Sequence, residues 1–506
     1  MSKTYLLAHD LGTSGNKASL YSEDGALVAS ATHSYDADFF GNGWAEQDAD
    51  FWWKAVCDAT RQVTQSIDCR LIACVSFSGQ MMGCLPVDRE GNPLRKSIIW
   101  ADMRAQKQAD KLAKEVGKDA LYAITGTSVA PTYSLEKIMW VKDNEPDVYK
   151  NTHVFLNAKD YIVYKLTGKF ATDYSDASGT NAFDIVNKKW SEDIVRAGEV
   201  EMNKLPDAYP STHIVGKVTR EAAECSGLAE GTPVVLGGGD GPCATVGAGA
   251  VNCGDMYNYF GSSAWIAVAG DEPYLDPQQR TFTLAHLEDG LYMSVGAMQS
   301  AGGSYEWMKK NLCASEISES QSCGKNVYAI MNEAAEKSVP GANGVLFLPY
   351  LLGERCPYWN PDAKGALLGL RMNHTHEDIV RAVFEGALYN LRIILDIFRG
   401  EGFCPKQLTL IGAAIKSDFI CKLIADIYDV DVIRPEVLEE ATSLGAAIAG
   451  GVGAGVFRDF SVTKKIVKTR DVIKPDAGPQ QFYSKQYALF KKSYYALEAL
   501  FPELSV

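Results

Sequence analysis

The stretch Tyr5-Leu6-Leu7-Ala8-His9-Asp10-Leu11-Gly12-Thr13-Ser14-Gly15-Asn16-Lys17-Ala18-Ser19-Leu20-Tyr21 decides the fold. Tyr5 to His9 is an apolar run, which predicts a buried strand. Asp10 to Gly15 is a turn signal, and Ala18 to Tyr21 resumes the strand pattern. Glu23-Asp24-Gly25 turns the chain again, and a third strand is expected from Ala26 to Thr32. The result is a β-meander with a glycine-rich loop at its first hairpin. The same pattern returns near Gly254, where Met256 to Phe260 and Trp265 to Ala269 are strand-like around Gly261-Ser262-Ser263-Ala264. This predicts a duplicated fold unit and a boundary near residue 250.

Helical patterns alternate with strands between and after the two meanders. Asp48 to Gln65 is amphipathic with Asp48 as a candidate N-cap. Leu71 to Phe77 and Val234 to Leu236 are short apolar runs, expected as buried strands. The last third reads as helices over Glu377–Phe398, Ser417–Tyr428, Ala441–Gly450 and Pro479–Leu500. One strand, Gln407 to Ile411, leads into Gly412.

The 506 residues carry a net charge of −14, which repels nucleic acid and anionic lipid. The 12 cysteines form no C-x-x-C pair and show no zinc spacing with histidine, so they read as buried thiols of a reducing compartment. The start of the chain lacks the apolar run of a signal peptide. The small-residue stretch from Ala441 to Phe457 is too short to span a bilayer. A cytoplasmic protein is expected.

Three glycine-rich loops carry candidate chemistry. In the first, Gly12 and Gly15 let backbone N–H groups approach an anion. Thr13 and Ser14 add hydroxyls, Lys17 adds charge, and Asp10 suits a Mg²⁺ ion held mainly by phosphates and water. An ordinary hairpin explains the loop equally well. In the second, Gly237-Gly238-Gly239-Asp240-Gly241, a lone carboxylate sits on bare backbone. It could take a proton from a hydroxyl, or the segment is a long turn. The third, Gly412-Ala413-Ala414, either lets a phosphate or flat ring approach a helix N-terminus or simply packs a strand against a helix. What favours ligand chemistry is the repetition of such loops, each after a strand.

With these motifs in view, the chain resembles the FGGY carbohydrate kinases of the actin, hexokinase and heat-shock ATPase superfamily. The ordered set that carries the resemblance spans nearly the whole chain. It includes Asp10 to Gly15, Trp44 to Asp48, Ser78 to Met81, Trp100 to Arg104, Lys137 to Trp140, and Asp173 to Thr180. It continues through Gly237 to Asp240, Leu348 to Arg355, Gly365 to Leu370, and the Asp378 to Glu385 signature. The resemblance implies an α/β fold of two actin-like (ribonuclease H-like) domains flanking a deep interdomain cleft. Residues 1–250 would carry most of the sugar site and 251–506 most of the nucleotide site.

The implied activity is ATP-dependent phosphorylation of a sugar hydroxyl with Mg²⁺. The partners would be the sugar and ATP, without nucleic acid or membrane, in a chain that in this family is usually a homodimer. Asp240 matches the catalytic base and Asp10 the metal-associated acid. Gly12, Thr13 and Lys17 match the first phosphate loop, Gly261 and Ser262 the second. Gly302, Gly412 and Ala413 fall where the family holds nucleotide. Gln80, Met81, Met82, Trp100, Asp102 and Trp265 fall where it lines the sugar pocket.

The pattern is most like that of xylulose kinases, so D-xylulose is the expected substrate. Another ketose, a polyol, a sugar acid or a signalling molecule is the alternative, with a non-catalytic nucleotide-binding protein as the third reading. Met82 and Gly241 stand where xylulose kinases usually carry His and Asn, and Ala264 and Ala413 replace common glycines.

Overall fold

In a computed structural model the chain is described over residues 4–41, 43–436 and 440–504. Met1 to Lys3, part of the chain start weighed above as a signal peptide, lie outside the described residues. Two compact units divide the chain. The first is Met1–Cys253, Ala269–Ser294 and Glu440–Val467; the second is Gly254–Val268, Val295–Glu439 and Lys468–Val506. The units are therefore discontinuous in sequence.

The chain opens with the meander β1 (Tyr5–Leu11), β2 (Gly15–Ser22) and β3 (Leu27–Ser34). Helix α1 (Ala49–Thr64) follows, and Asp48 caps it by accepting from the Asp50 N–H. Next come β4 (Ile72–Gly79), α2 (Ala158–Thr167), the short α3 (Tyr174–Ser178), β5 (Ile214–Lys217), β6 (Pro233–Val235) and β7 (Gly238–Gly239). Helix α4 (Asp240–Gly247) begins at Asp240 itself. The carboxylate therefore occupies the first helical position, which sets aside the alternative of a long glycine turn.

The first sheet has the order β5–β6–β4–β1–β2–β3, with β7 also paired to β4. β4 runs parallel to β1, β6 and β7. β1 reads as an unbroken apolar run because it is buried on both faces. Tyr5, Leu7 and Leu11 join one core with Trp52, Val56 and Val63 of α1. Leu6 and Ala8 join another, with Cys74, Val246, Leu444 and Ile448.

The second unit opens with β8 (Met256–Phe260) and β9 (Ala264–Gly270), followed by β10 (Tyr292–Met298), α5 (Gly302–Leu312) and α6 (His376–Gly400). β11 (Gln407–Gly412), α7 (Asp418–Tyr428) and β12 (Asp431–Pro435) come next. Helix α8 (Ala441–Gly453) belongs to the first unit. β13 (Thr469–Ile473) and α9 (Ala477–Leu497) complete the second. Its sheet runs β10–β9–β8–β11–β12–β13. Here β8 is antiparallel to β9 and parallel to β11, the same arrangement as β1 with β2 and β4. The duplication expected from the two meanders is present at the level of strand pairing.

The small residues of α8 have a packing reason. A Cβ at Gly445 would lie 2.0 Å from the Cys243 carbonyl, so α8 and α4 meet backbone to backbone. Gly237 is tighter still, with φ +67° and a hypothetical Cβ 1.9 Å from the Phe77 carbonyl. Gly237→Ala is expected to destabilise the first unit by about 2–4 kcal/mol, through strain and overpacking together. Thermal unfolding checks this, and an unchanged Tm would contradict it. The twelve cysteines are all free, and seven of them are buried. Among the described residues no helix is long and apolar enough to cross a membrane.

Candidate active site

The carboxyl ends of three parallel strands converge in the first unit. Asp10 of β1 lies opposite Ser78 of β4, and Ser78 and Gly79 lie opposite Gly238 and Gly239 of β7. Asp240 follows directly. Strand ends in open α/β sheets are where ligands bind, because the chain turns away and leaves a crevice.

Asp10 accepts a hydrogen bond on each oxygen, from Ser78 Oγ at 2.8 Å and from Thr442 Oγ1 at 2.6 Å. Burial raises its carboxyl above the ordinary value, against those two bonds and the Lys17 charge, which lower it. Lys17 faces Asp10 across the hairpin and pairs with Glu440 at 2.5 Å. The Asp240 carboxylate is accessible to water yet crowded by protein, and its Oδ1 accepts from the Gly241 N–H at 2.7 Å. Desolvation first, then the Asp10 charge, pushes Asp240 up to about 6. Asp240 is thus ionised at neutral pH but more basic than an ordinary carboxylate, as a general base should be.

The first loop is held in shape by its neighbours. Gly12 N–H bonds the Gly15 carbonyl at 3.0 Å, and Tyr35 donates to the Gly12 carbonyl at 2.7 Å. Gln47 donates to the Thr13 carbonyl at 2.6 Å and accepts from Gln80 at 2.7 Å. The exposed Trp100 donates to Thr13 Oγ1 at 2.8 Å, and Ser14 is exposed at the tip. Met81 is buried against Gly239, whereas Met82 has φ +62° and gives its carbonyl to Lys137 at 2.7 Å. Lys137 is wholly buried and also donates to the carbonyls of Ile99 at 2.8 Å and Thr132 at 2.6 Å.

In the second unit, Gly261 and Ser262 form the β8–β9 turn. Their carbonyls accept the N–H groups of Ala301, Gly302 and Gly303 at 2.9–3.0 Å, so the start of α5 is seated on that turn. Gly412 ends β11 opposite Phe260, and Ala413 is exposed just beyond it. Trp265 stacks on Tyr259 with ring centroids 3.9 Å apart and donates to the Tyr257 hydroxyl at 3.0 Å.

Comparison with known proteins decides the family. The profile of the "FGGY family of carbohydrate kinases, N-terminal domain" matches residues 5–247, and that of the C-terminal domain matches 256–454. The chain belongs to the FGGY family of carbohydrate kinases. The FGGY kinases are ATP-dependent sugar phosphotransferases, and so is this chain. It is 30% identical to a gluconokinase of Bacillus licheniformis, over 99% of this chain and 98% of that protein. It is 31% identical to a xylulose kinase of Staphylococcus epidermidis, over 100% and 99% respectively. The solved gluconate kinase from Lactobacillus acidophilus superposes with a TM-score of 0.93 at 26% identity, covering all of both chains.

One expected pocket residue of this FGGY kinase is corrected. Asp102 is fully buried, and both of its oxygens are taken, by Arg104 at 2.7–3.0 Å and by the Ala45 N–H at 2.5 Å. It braces the turn that carries Trp100 and has no free lone pair aimed at a ligand. Lys17 does not project a free charge, because Glu440 holds it.

Sequence reasoning missed Glu440 and Thr442, which the start of α8 delivers beside Asp10. The only local signal was an acid and hydroxyls preceding a glycine-rich helix. A Cys–Glu–His trio, Cys313, Glu316 and His376, also escapes linear spacing, its ligand atoms lying within 4.8 Å of one another. Burial, and then the Glu316 charge, pushes the Cys313 thiol up to about 12, and Glu316 pairs with His376 at 2.7 Å.

Proposed function

We propose that this FGGY kinase transfers the γ-phosphoryl group of ATP to a hydroxyl of a free ketopentose, D-xylulose above all. The observation that carries the reading is the placing of Asp240 at the strand ends beside Asp10, with its carboxyl raised to about 6. Asp240 orients the sugar hydroxyl and takes its proton as the oxygen attacks γ-phosphorus. The P–O bond to ADP breaks, leaving sugar phosphate and ADP. Gly12, Thr13, Ser14 and Lys17 of the first unit, and Gly261, Ser262, Gly302, Gly412 and Ala413 of the second, are proposed for the phosphates and nucleotide. When phosphate arrives, the Lys17 ammonium exchanges Glu440 for it.

The donor set at Asp10 fits a hard cation. It is one carboxylate with an unused lone pair on each oxygen, flanked by the hydroxyls of Ser78 and Thr442. Asp10 would hold Mg²⁺, which supplies charge neutralisation on the β- and γ-phosphate oxygens.

A neutral sugar is favoured over gluconate by the state of the nearby cations. Lys17 is taken by the phosphate, Arg104 pairs with Asp102 and Glu46, and Lys137 with three carbonyls. A substrate carboxylate would enter beside Asp10 and Asp240 with none of these cations to meet it. Gln80, Met81, Met82, Trp100 and Trp265 remain the proposed sugar-facing set, more apolar than a polyhydroxylated ligand demands.

Purified protein with ATP and a panel of D-xylulose, other ketoses, glycerol and gluconate tests the proposal. D-xylulose should exceed gluconate and glycerol in kcat/KM by about tenfold or more. Equal turnover of gluconate overturns the sugar assignment and leaves the kinase in place. Met82→His should raise kcat/KM for D-xylulose by about tenfold, one hydrogen bond to a sugar hydroxyl being worth about 1–3 kcal/mol. His also tolerates the left-handed backbone at 82 better than Met does.

A further inference from the structure

The glycine run that delivers Asp240 has backbone N–H groups that need partners, and two of them lead to one buried carboxylate. Gly237 N–H bonds the Ser211 carbonyl at 3.0 Å, and Gly239 N–H bonds Ser175 Oγ at 3.0 Å. Both serines donate their hydroxyls to Asp173 Oδ2, Ser175 at 2.5 Å and Ser211 at 2.9 Å. That oxygen also accepts the Ser175 N–H at 2.8 Å, as the N-cap of α3. The other oxygen of Asp173 faces Lys159 Nζ at 2.8 Å.

Lys159 is wholly buried at the start of α2, and Asp160 and Asp176 also lie on it, at 2.6 and 3.3 Å. Burial raises the Asp160 and Asp176 carboxyls despite the lysine.

A buried ionic cluster is an expensive way to stabilise a fold, since apolar packing of equal volume often does better. What it supplies is direction. The run has no slack: a Cβ at Gly238 would lie 2.6 Å from Ser175 Oγ, and one at Gly239 2.4 Å from Met81 Sδ. Gly238 is closed in by Leu287 and the Ser175 hydroxyl, and Gly239 by the Met81 side chain.

We propose that Asp173, Ser175 and Ser211 are positioning residues that fix the Gly237–Gly239 backbone and thereby aim the Asp240 carboxylate at the sugar hydroxyl. This rests on Asp240 being the base. Ser175 is fully buried and acts through Gly239, one residue before Asp240. A misplacement of about 1 Å can cost about 10²-fold in rate.

The test compares Ser175→Ala with Ser178→Ala. Ser178 is equally buried on α3, donating to the Ser175 carbonyl at 2.6 Å and accepting from Ala285 N–H at 3.1 Å, but its hydroxyl makes no bond to the glycine run. Ser175→Ala should lower kcat about 10–100-fold with KM for ATP and sugar within about threefold of wild type. Ser178→Ala should lose comparable thermal stability while keeping kcat within about threefold. In an Asp240→Asn background Ser175→Ala should add almost nothing, because both act on one group. Ser211→Ala, which keeps the carbonyl bond to Gly237, should lower kcat less than Ser175→Ala. It serves as the reporter if Ser175→Ala folds poorly.

Unchanged kcat in Ser175→Ala, or a loss that multiplies with that of Asp240→Asn, overturns the proposal while leaving Asp240 as base. Wild-type turnover in Asp240→Asn alone overturns the base assignment and the proposal with it.

Discussion

Asp240→Asn folds, binds nucleotide and loses turnover by about 10²–10⁴-fold at saturating sugar. The fold survives because the amide oxygen can keep the bond that Oδ1 now accepts from Gly241 N–H at 2.7 Å. Turnover falls because an amide cannot take the hydroxyl proton. Wild-type kcat also has a pH signature. The base must be ionised, and desolvation with the Asp10 charge holds it up at about 6, so the rate declines as pH falls through that value. Bound Mg²⁺ and the ATP phosphates act on this value in opposite directions. Turnover profiles between about pH 4 and 8, with nucleotide binding by calorimetry, check both statements. An acid limb well above 6, or near-wild-type turnover in the amide variant, removes Asp240 from the role.

Asp10→Ala loses activity by at least about 10²-fold, the scale of removing one electrostatic contact to the transition state, with little loss of stability. Asp10 is half-buried, and burial raises its carboxyl despite the hydrogen bonds from Ser78 and Thr442. A carboxyl with a raised folded value weakens the fold as pH rises past its unfolded value. At neutral pH, deletion removes that penalty and offsets the loss of two hydrogen bonds. Activity that persists in excess chelator, or an unfolded Asp10→Ala chain, contradicts the assignment of Asp10 to the metal.

Much of the scaffold is legible in short stretches. Tyr5 to Leu11 reads as a doubly covered strand because every position but Asp10 is buried. Asp48 announces α1 because an N-cap is a contact over two or three residues. The echo of Gly12–Gly15 in Gly261–Ala264 predicts two hairpins, and the structure sets each beside a parallel strand. Asp102 was misplaced because its neighbours gave no hint that Arg104 and Ala45 would enclose it.

The sequence by itself determined the α/β class, the duplicated hairpins and the family, since periodicity, turn chemistry and ordered motifs are all written within a few residues. Only the tertiary structure decided what surrounds the candidate base and the metal-associated acid. Thr442 reaches Asp10 across 432 residues of chain, and Ser175 reaches Gly239 across 64. A buried polar atom must find a partner, but which partner it finds depends on how the strands order and the helices cross, and no local pattern of residue types records that.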